Sequence, residues 1–281
     1  MRGIILAGGT GTRVYPNTKV ISKQILPVYD KPTIYYPLST LINLGVKDIL
    51  IISNQVGTFL DIFGDGSTLG LNITYKIQKE PRGIAESLII GEQFIGNEDV
   101  VLILGDNIFT GVEEPLYKGT AKLSSTIVGY KVSNPQDYGV VTCTEKLVVL
   151  DIEEKPVKPT SDIAVTGLYF YDCTAPERAK NLKPSGRNEL EITDLNRDYM
   201  DSGELGLTIL GSNHAWFDTG DNDQMFEATM YIKSIQNRTN QMIGSIELES
   251  YRAGNITIDE LHSILYNMPK CKYKDNIIRV I

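Results

Sequence analysis

The chain has 281 residues, of which 42% are hydrophobic and 22% charged, a balance typical of a globular protein with one or two domains and a sizeable core. Its formal net charge of −8 and the lack of any long Lys/Arg cluster argue against polynucleotide binding. Two histidines and three widely spaced cysteines argue against histidine triads, disulfides and thiolate zinc sites, and they favour a reducing compartment.

From the apolar pattern of the chain we expect neither a signal peptide nor a membrane-spanning segment. The N-terminal apolar run is four residues long and breaks at Gly8, and no span of 18 apolar residues follows anywhere in the chain. We therefore expect a cytoplasmic protein without a membrane partner.

The first predicted element is a buried strand, Ile4-Ile5-Leu6-Ala7, which stops at a glycine-rich loop containing Gly8, Gly9 and Gly11. Without Cβ atoms, this loop can turn its backbone N–H groups towards one anion. Arg13 and Lys23 would add fixed positive charge. The stretch therefore predicts a phosphate site, although it is neither a P-loop nor a dinucleotide fingerprint, because the Gly-Lys-Ser/Thr end and the third glycine are both missing.

Strands and helices alternate over the next hundred residues. The predicted elements are a helix over Pro32–Leu44, a strand over Asp48–Ser53, a surface turn over Gly64–Gly70, a strand over Asn72–Gln78, a helix over Ile84–Phe94 and a strand over Val100–Leu104. This order predicts a parallel open α/β sheet with right-handed crossovers. Ligands bind at the carboxyl ends of such strands, so the glycine loop, residues 78–86 and Asp106 should share one rim.

From Ser125 the pattern changes to β-branched, alternating runs with short connections, which predict added strands, partly antiparallel. Later expectations are helices over Ala175–Leu182 and Glu189–Ser202, a strand over Leu205–Leu210, a helix from Asp221 or Asn222 through Arg238, and two short helices within Ile246–Tyr266. The tail from Pro269 to Ile281 has no informative pattern.

Two aspartates follow apolar segments, Asp106 in LILGDN and Asp218 in WFDTGD. Each alone could be a helix cap or a turn residue. Together they would suit a hard cation that bridges phosphates, since such a cation takes one or two carboxylates plus phosphate and water oxygens. The residues alone leave open whether the two side chains meet in space.

The motif Gly-x-Gly-Thr-Arg-x-x-Pro, followed by Ser22-Lys23-Gln24 and Leu26-Pro27, resembles the signature of the sugar nucleotidyltransferases, and in particular their glucose-1-phosphate thymidylyltransferase branch. The resemblance covers roughly residues 1–254. It implies a Rossmann-like α/β fold with a mixed, mostly parallel open sheet flanked by helices, added strands for a sugar site and a small helical C-terminal part. The implied division is a core over 1–240, with a nucleotide-binding part over 1–124 and a sugar-binding part over 125–240, and an extension over 241–281.

The activity implied by the resemblance is transfer of a thymidylyl group from dTTP to α-D-glucose 1-phosphate. The products are dTDP-glucose and pyrophosphate, as in the first step of dTDP-L-rhamnose or related deoxysugar synthesis. The family also implies Mg²⁺ and a homotetramer. Two alternatives stay open: a UTP- or CTP-dependent transferase on the same scaffold, and a non-catalytic nucleotide-sugar sensor or scaffold.

The resemblance also assigns roles to individual residues. The catalytic residues would be Arg13, Lys23, Asp106 and Lys155, and the Mg²⁺ ligands Asp106 and Asp218. The nucleotide would be bound by Gly8, Gly9, Gly11, Thr12, Gln24, Gln78, Pro81 and Gly83, with the Gln78 amide reading the imide edge of the base. The sugar phosphate would be bound by Gly139, Glu154, Lys155, Val165, Gly167 and Arg187.

Two departures from the family pattern bear on selectivity and control. The family's Gly-Leu-Ala-Gln is Gly-Ile-Ala-Glu here, which puts Glu86 in place of a neutral amide. In the segment that lines the family's regulatory pocket, Thr110 and Val112 replace a tyrosine and a histidine, while Tyr251-Arg252 is retained.

Overall fold

The computed structural model describes residues 1–9, 11–112 and 123–281. The strands are β1 (Arg2–Leu6), β2 (Pro27–Val28), β3 (Lys31–Pro32), β4 (Asp48–Ser53), β5 (Asn72–Ile77), β6 (Val100–Leu104), β7 (Asn107–Thr110), β8 (Ser125–Lys131), β9 (Gly139–Cys143), β10 (Val149–Glu154), β11 (Ile163–Tyr171), β12 (Leu205–Ile209) and β13 (Ala215–Asp218). The α-helices are α1 (Tyr35–Asn43), α2 (Val56–Phe63), α3 (Glu86–Ile95), α4 (Ala175–Asn181), α5 (Ile192–Asp201), α6 (Asn222–Thr239), α7 (Ile246–Arg252), α8 (Ile258–Asn267) and α9 (Lys272–Val280).

A nine-stranded sheet formed by described residues organises the molecule. Its parallel centre has the order β6-β1-β4-β5, with Ile5 opposite Ile51 on one side and Ile103 on the other. Strands β1, β4 and β6 are mostly apolar because helices cover both faces of the sheet, as is usual for parallel strands, whereas the edge strand β5 carries polar residues. The expected α/β fold with parallel crossovers is confirmed.

The second part of the sheet is largely antiparallel and continues from β6 without a break. The long strand β11 pairs antiparallel with β6, β8 and β9, β10 pairs with β9, and β12 adds a parallel pair to β8. The predicted change to partly antiparallel strands after Ser125 is therefore confirmed. The parallel and antiparallel parts therefore form one continuous sheet, and both border the same cavity.

Alternate side chains of the central strands enter two hydrophobic layers. Ile5, Ile51 and Ile103 face one layer, which α1 and α2 cover through residues such as Leu38 and Phe59. On the opposite face, Ile4, Leu50, Ile52 and Leu102 pack with residues of α3, α4 and α5. Because successive strand residues point to opposite faces, both layers are built from the same strands.

Several elements differ from the sequence-based expectations. Helix α2 was not predicted because VGTFLDIF contains a glycine and β-branched residues, and the packing of Phe59 and Phe63 stabilises it instead. The predicted helix from Glu189 begins only at Ile192, because the backbone around Leu190 is held in hydrogen bonds to residues 82 and 85. Strand β13 was also missed, and it forms a separate two-stranded sheet with β7.

The C-terminal residues form three helices, α7, α8 and α9, and the last of these falls in the tail that had no informative pattern. A buried polar group joins α9 to the core: the Tyr273 hydroxyl donates to the Glu247 carboxylate at 2.6 Å, and the Lys31 ammonium lies 5.5 Å from the Tyr273 ring centroid. The division of the chain at residues 124 and 240 stays a prediction. Within the described residues, no helix combines the length and apolar character needed to cross a membrane.

Candidate active site

A cavity of about 400 Å³ opens at the carboxyl ends of β1, β5 and β6, and β9, β10 and β11 close its far side. Most of the predicted site residues line it: Gly8, Gly9, Arg13, Lys23, Gln24, Gln78, Pro81, Gly83, Asp106, Gly139, Glu154, Lys155, Val165, Gly167, Arg187 and Asp218. Gly11 and Thr12 are described but lie outside this lining. The predicted convergence on one rim is thus confirmed, while the role of each residue remains a prediction.

The glycine loop meets two buried glutamines at the end of β1. A Cβ atom on Gly8 would lie 2.5 Å from the Gln78 Oε1 atom, and the Gln24 Nε2 group donates to the Gly8 carbonyl at 3.2 Å. A side chain at position 8 would require the Gln78 amide to move from its present place. The start of the loop therefore packs against Gln78, which follows β5, and Gln24, which precedes β2.

Arg13 is carried on a single 3-10 turn, Thr12–Val14, which begins at Gly11 with a left-handed φ of 61°. Its guanidinium lies against the backbone that follows β13: the Nη2 atom is 2.9 Å from where a Cβ on Gly220 would be. Gly11 therefore acts as the turn residue that presents Arg13, which explains its position outside the lining. The exposed Arg13 side chain faces the mouth of the cavity.

Asp106 and Asp218 come together through the pairing of β7 and β13. In this antiparallel register Asp218 lies opposite Asn107, the neighbour of Asp106. The Thr219 backbone N–H and hydroxyl both donate to the Asp106 carbonyl, at 3.0 and 2.6 Å. The backbone thus holds the two carboxylates on the same wall, which answers the question that the sequence left open.

The two carboxylates have opposite electrostatic environments. Burial acts to raise the pKa of Asp106, but the ion pair with the Lys23 ammonium and a hydrogen bond from Asn107 outweigh it, so the pKa lies below its usual value. Burial and the neighbouring Asp106 charge raise the pKa of Asp218 to about 6, against the attraction of Lys23, Arg13 and Lys155. The wall therefore holds one firmly ionised carboxylate and one that ionises less readily.

This pair of carboxylates fits a divalent cation of the magnesium type. Such an ion prefers hard oxygen donors, and its positive charge relieves the repulsion between neighbouring carboxylates. Among the residues that the structure describes, no group of three or more His, Cys, Asp or Glu side chains could form a complete protein cage. A cation here would therefore need further oxygens from phosphate or water, as the two-aspartate pattern predicted.

The far side of the cavity carries the predicted sugar residues on β9, β10 and β11. Gly139 pairs with Glu154 across β9 and β10, and the Glu154 carboxylate accepts a hydrogen bond from the Thr193 hydroxyl at 2.7 Å. Lys155 follows with a left-handed φ of 45°, its N–H donating to the Tyr138 carbonyl at 3.0 Å. Non-glycine residues seldom adopt this backbone conformation, and here it places Lys155 at the rim of the cavity.

Arg187 lies at the edge of the cavity and is already paired. Its guanidinium contacts both carboxylate oxygens of Glu191 at 3.0 Å, and Glu189 lies 3.7 Å away. The side chain is 57% exposed, so a phosphate could share the guanidinium or replace Glu191 without breaking a buried ion pair.

Asn107 is the residue that the sequence-based predictions missed. Its side chain is 2% exposed and its Oδ1 atom accepts from the Gly167 N–H at 3.1 Å and from the Trp216 indole at 2.7 Å. Its Nδ2 group donates to Asp106 at 3.1 Å. A Cβ on Gly167 would lie 2.6 Å from Asn107 Oδ1, so glycine is required there. Asn107 therefore links Asp106 to strand β11, and its position after Asp106 was the signal available.

The two replaced residues of the regulatory segment have structural contacts. The Thr110 hydroxyl accepts from the Ala215 N–H at 3.1 Å, which supports the β7–β13 pair. Val112 is 3% exposed and belongs to the core layer under α1 and α2. On the retained Tyr251-Arg252 motif, the guanidinium pairs with Glu249 at 3.2 Å.

An open α/β sheet with a glycine-rich loop, the Arg13 and Lys23 cations and two carboxylates at its carboxyl edge is the arrangement of an enzyme that binds phosphate groups and acts on them through charge and positioning. The chain belongs to the nucleotidyl transferase family, whose model matches residues 2–235.

Named relatives and solved structures agree with this assignment. A glucose-1-phosphate thymidylyltransferase from Neisseria meningitidis serogroup A is 47% identical over 100% of this chain and 99% of its own length. One from Mycolicibacterium smegmatis is 43% identical with the same coverage. A Bacillus anthracis structure, provisionally described as a glucose-1-phosphate thymidylyltransferase in complex with sucrose, has a TM-score of 0.77 at 39% identity over 82% of this chain and 94% of that one. A UDP-glucose pyrophosphorylase complexed with UDP-glucose has a TM-score of 0.72 at 25% identity, covering 83% of this chain and 98% of that one.

Proposed function

We propose that this chain transfers a thymidylyl group from dTTP to α-D-glucose 1-phosphate, with dTDP-glucose and pyrophosphate as products. The observation that carries the proposal is the end-to-end similarity, at 47% identity, to a glucose-1-phosphate thymidylyltransferase, together with one cavity lined by all four predicted catalytic side chains. A sensor or scaffold would have no need to keep Arg13, Lys23, Asp106 and Lys155 around a common space.

On the nucleotide side, we assign the triphosphate to the glycine loop and to the Arg13 and Lys23 cations. The Lys23 ammonium pairs with Asp106 in the cavity. The triphosphate of dTTP carries more negative charge than this carboxylate and can therefore attract the same ammonium. Arg13 offers a planar set of N–H donors at the mouth. These two cations neutralise charge that grows on the leaving pyrophosphate.

On the sugar side, we assign the glucose hydroxyls to Glu154 and the sugar phosphate to Lys155 and Arg187. The hydrogen bond from Thr193 fixes one Glu154 oxygen and leaves the other for a ligand. Lys155 aims the phosphate oxygen at the α-phosphorus of dTTP. That oxygen forms a bond to the α-phosphorus as the bond to the bridging oxygen breaks, and pyrophosphate leaves without a covalent enzyme intermediate.

We propose Mg²⁺ as the resident cation and Asp106 and Asp218 as its protein ligands. When bound, it supplies positive charge next to the α-phosphate. The contribution of the chain itself is to hold both carboxylates on one wall through the β7–β13 register and the Thr219 hydrogen bonds.

We also propose a cytoplasmic homo-oligomer, a homotetramer by family resemblance. Phe226 and Met230 lie one turn apart on α6 and are 65% and 47% exposed, which supports an apolar contact between subunits. Light scattering coupled to size exclusion measures the assembly directly; we expect a mass of four chains, and a monomer would contradict this.

The proposed activity is tested by pyrophosphate release over a matrix of dTTP, UTP and CTP against glucose 1-phosphate and other hexose phosphates. We expect the highest kcat/KM for dTTP with glucose 1-phosphate. A preference for UTP would favour the alternative of a UTP-dependent transferase, which the structural similarity to a UDP-glucose pyrophosphorylase supports. Release with none of the pairs would contradict a transferase altogether.

A further inference from the structure

The loop before α5 contains a small hydrogen-bonded group at the rim of the cavity, which Arg187 and Glu191 both line. The Arg187 Nη2 group donates to both Glu191 carboxylate oxygens at 3.0 Å, and its Nε group donates to the Oε1 atom at 3.3 Å. The Ser185 hydroxyl donates to the same Oε1 atom at 2.7 Å. Glu191 is therefore held by Ser185 while it holds Arg187.

The backbone that carries this group is fixed from both ends. Within the loop, the Ser185 N–H donates to the Glu189 carbonyl at 2.8 Å. At the end of the loop, the Leu190 N–H donates to the Arg82 carbonyl at 2.7 Å and so joins the loop to the segment after β5. These bonds fix the main chain but not the Arg187 side chain, which is 57% exposed and has several rotatable bonds. The position of the guanidinium therefore depends on its own contacts.

The contact with Glu191 uses only one edge of the guanidinium. It occupies the Nε and Nη2 groups, and within the part of the chain that the structure describes no hydrogen bond uses Nη1. A guanidinium has five N–H donors in one plane, so a carboxylate on one edge and a phosphate on another can bind it together. The hydrogen bonds to Glu191, and then the charges of Glu191, Glu189 and Glu154, outweigh partial burial and raise the pKa of Arg187. The guanidinium thus stays charged within reach of the Glu154 side of the cavity.

We propose that Glu191 is a positioning residue for the transfer: it holds the Arg187 guanidinium ready for the sugar phosphate and so sets the affinity for glucose 1-phosphate. This inference rests on the proposed function, because Arg187 is assigned there to the sugar phosphate. A long side chain that has to be ordered on binding costs affinity, whereas one that is already held does not. Glu191 acts through Arg187 and needs no contact of its own with the ligand.

The test compares the KM for glucose 1-phosphate and the KM for dTTP in the wild type and in Glu191→Ala. We expect the KM for glucose 1-phosphate to rise by roughly two- to tenfold, the range expected when one long side chain has to be ordered on binding. The KM for dTTP should not change. At saturation the bound phosphate itself orders Arg187, so kcat should keep its wild-type value. Glu191→Gln retains one oxygen that can accept from Arg187 and should give an intermediate KM.

A double variant separates this role from a direct contact between Glu191 and the ligand. Arg187→Ala should raise the KM for glucose 1-phosphate by itself. Adding Glu191→Ala should raise it no further, because Glu191 then has no guanidinium to hold. Additive losses would mean that Glu191 binds the ligand directly, and they would overturn the positioning role.

Asp198→Asn is the matched control. Asp198 lies on the same helix, α5, and pairs with Arg178 at 2.9 Å, and neither residue lines the cavity. The variant removes one carboxylate from an arginine pair, as Glu191→Gln does, and both KM values should stay at the wild-type level.

Thermal unfolding of each variant checks the fold. Glu191 is the N-cap residue of α5, yet among the described residues its side chain makes no capping hydrogen bond, so we expect Glu191→Ala to unfold close to the wild type. If it does not fold, Glu191→Gln and Ser185→Ala carry the same test. Ser185→Ala releases the Glu191 Oε1 atom and should raise the KM for glucose 1-phosphate in the same direction.

The outcomes separate this inference from the proposed function. A wild type that makes dTDP-glucose, combined with an unchanged KM for glucose 1-phosphate in the Glu191 variants, would overturn the role of Glu191 and leave the function intact. A lower KM in Glu191→Ala would also overturn it, since the carboxylate would then compete with the phosphate. Equal rises in both KM values would mean a structural role of the loop instead. A wild type that makes no dTDP-glucose would refute the proposed function, and this inference with it.

Discussion

Arg13 is the single residue on which the assignment of the nucleotide side depends most. It follows the glycine loop on its own 3-10 turn and lies at the cavity mouth near Asp218. A donor that meets the leaving pyrophosphate is stronger in the transition state than in the ground state, so its loss acts on kcat. We expect Arg13→Ala to lower kcat by roughly 10²–10³ at saturating dTTP, with Arg13→Lys recovering only part. Steady-state kinetics measure both.

The matched control for this change is Arg238→Ala, an exposed arginine in the last turn of α6 and away from the cavity. It should leave kcat and KM unchanged. If Arg13→Ala folds and retains the wild-type kcat, the glycine loop is a structural turn and the assignment of the triphosphate to it is wrong.

The pair Asp106 and Asp218 gives a second test at the residue scale. Two carboxylates without further protein ligands imply that the cation is held jointly by protein and phosphate, so removing it should stop transfer. We expect EDTA to abolish product formation and added Mg²⁺ to restore it. Asp218→Asn should raise the Mg²⁺ concentration needed for half-maximal rate. Undiminished turnover in chelator would rule out the metal assignment of both aspartates.

The sequence predicted many of the residues that line the cavity, but it did not predict their partners. Arg13, Lys23 and Asp106 stand in motifs whose residue types already suggest phosphate chemistry. Asn107 makes its contacts with residues that are distant in sequence: Trp216 is 109 positions from Asn107. Such contacts depend on strand register, which the pattern of one segment does not encode.

At the scale of elements, the β7–β13 pair determines where Asp106 and Asp218 lie. Asn107 supports this pair because it accepts from the Trp216 indole and the Gly167 N–H in a buried position. Asn107→Ala would leave both donors without a partner, and each unpaired buried group costs about 1–3 kcal/mol. We expect the free energy of unfolding to fall by about 2–5 kcal/mol, as measured by denaturant titration.

Asn181→Ala is the comparison for that loss. Asn181 is exposed at the end of α4, with one local hydrogen bond to the Glu177 carbonyl, and its removal should cost less than about 0.5 kcal/mol. Equal effects of the two substitutions would mean that Asn107 does not link β7, β11 and β13.

The docking of α9 gives a prediction about pH. Burial raises the pKa of Glu247 above 4.5, despite the hydrogen bond from Tyr273 and the attraction of Lys31. A carboxyl whose pKa is higher in the folded state contributes stability at low pH and loses it as the pH rises through that folded value. Glu247→Gln keeps an acceptor for Tyr273 and removes the charge. We expect the variant to gain stability over the wild type as the pH rises above 4.5, in thermal unfolding across pH.

Glu260→Gln should show the opposite sign. Hydrogen bonds from Thr257 lower the pKa of Glu260 at the start of α8, so its charged form stabilises the fold above 4.5 and this variant should lose stability there. A difference between Glu247→Gln and the wild type that does not change with pH would contradict the assigned burial effect.

Helices α2 and α9 show why some elements could not be predicted. Helix α2 has low intrinsic helix propensity and forms because Phe59 and Phe63 pack under the sheet. Helix α9 buries Ile277 and joins the polar group around Glu247 through Tyr273. In both, tertiary packing overrides local preference. The sequence pattern was sufficient only where an element had a strong apolar period of its own.

For the molecule as a whole, the alternation of strands and helices was enough to predict the α/β class and the ligand edge, because parallel crossovers have one favoured hand. The sequence also predicted the change to partly antiparallel strands. It did not predict that β11 would join β6 and so make one sheet line both sides of the cavity. The residues paired here, from Leu168 with Ile103 to Tyr171 with Val100, are about 70 positions apart, beyond the range of local patterns.

The central claim is that this cavity brings two phosphates together for one direct displacement at the α-phosphorus of dTTP. The most direct measurement uses dTTP carrying a sulfur of defined configuration on the α-phosphorus, with glucose 1-phosphate and Mg²⁺, and determines the configuration of the thio-dTDP-glucose by NMR. A single in-line displacement predicts inversion and one pyrophosphate per product. Retention of configuration would require a covalent enzyme intermediate, and it would contradict the account.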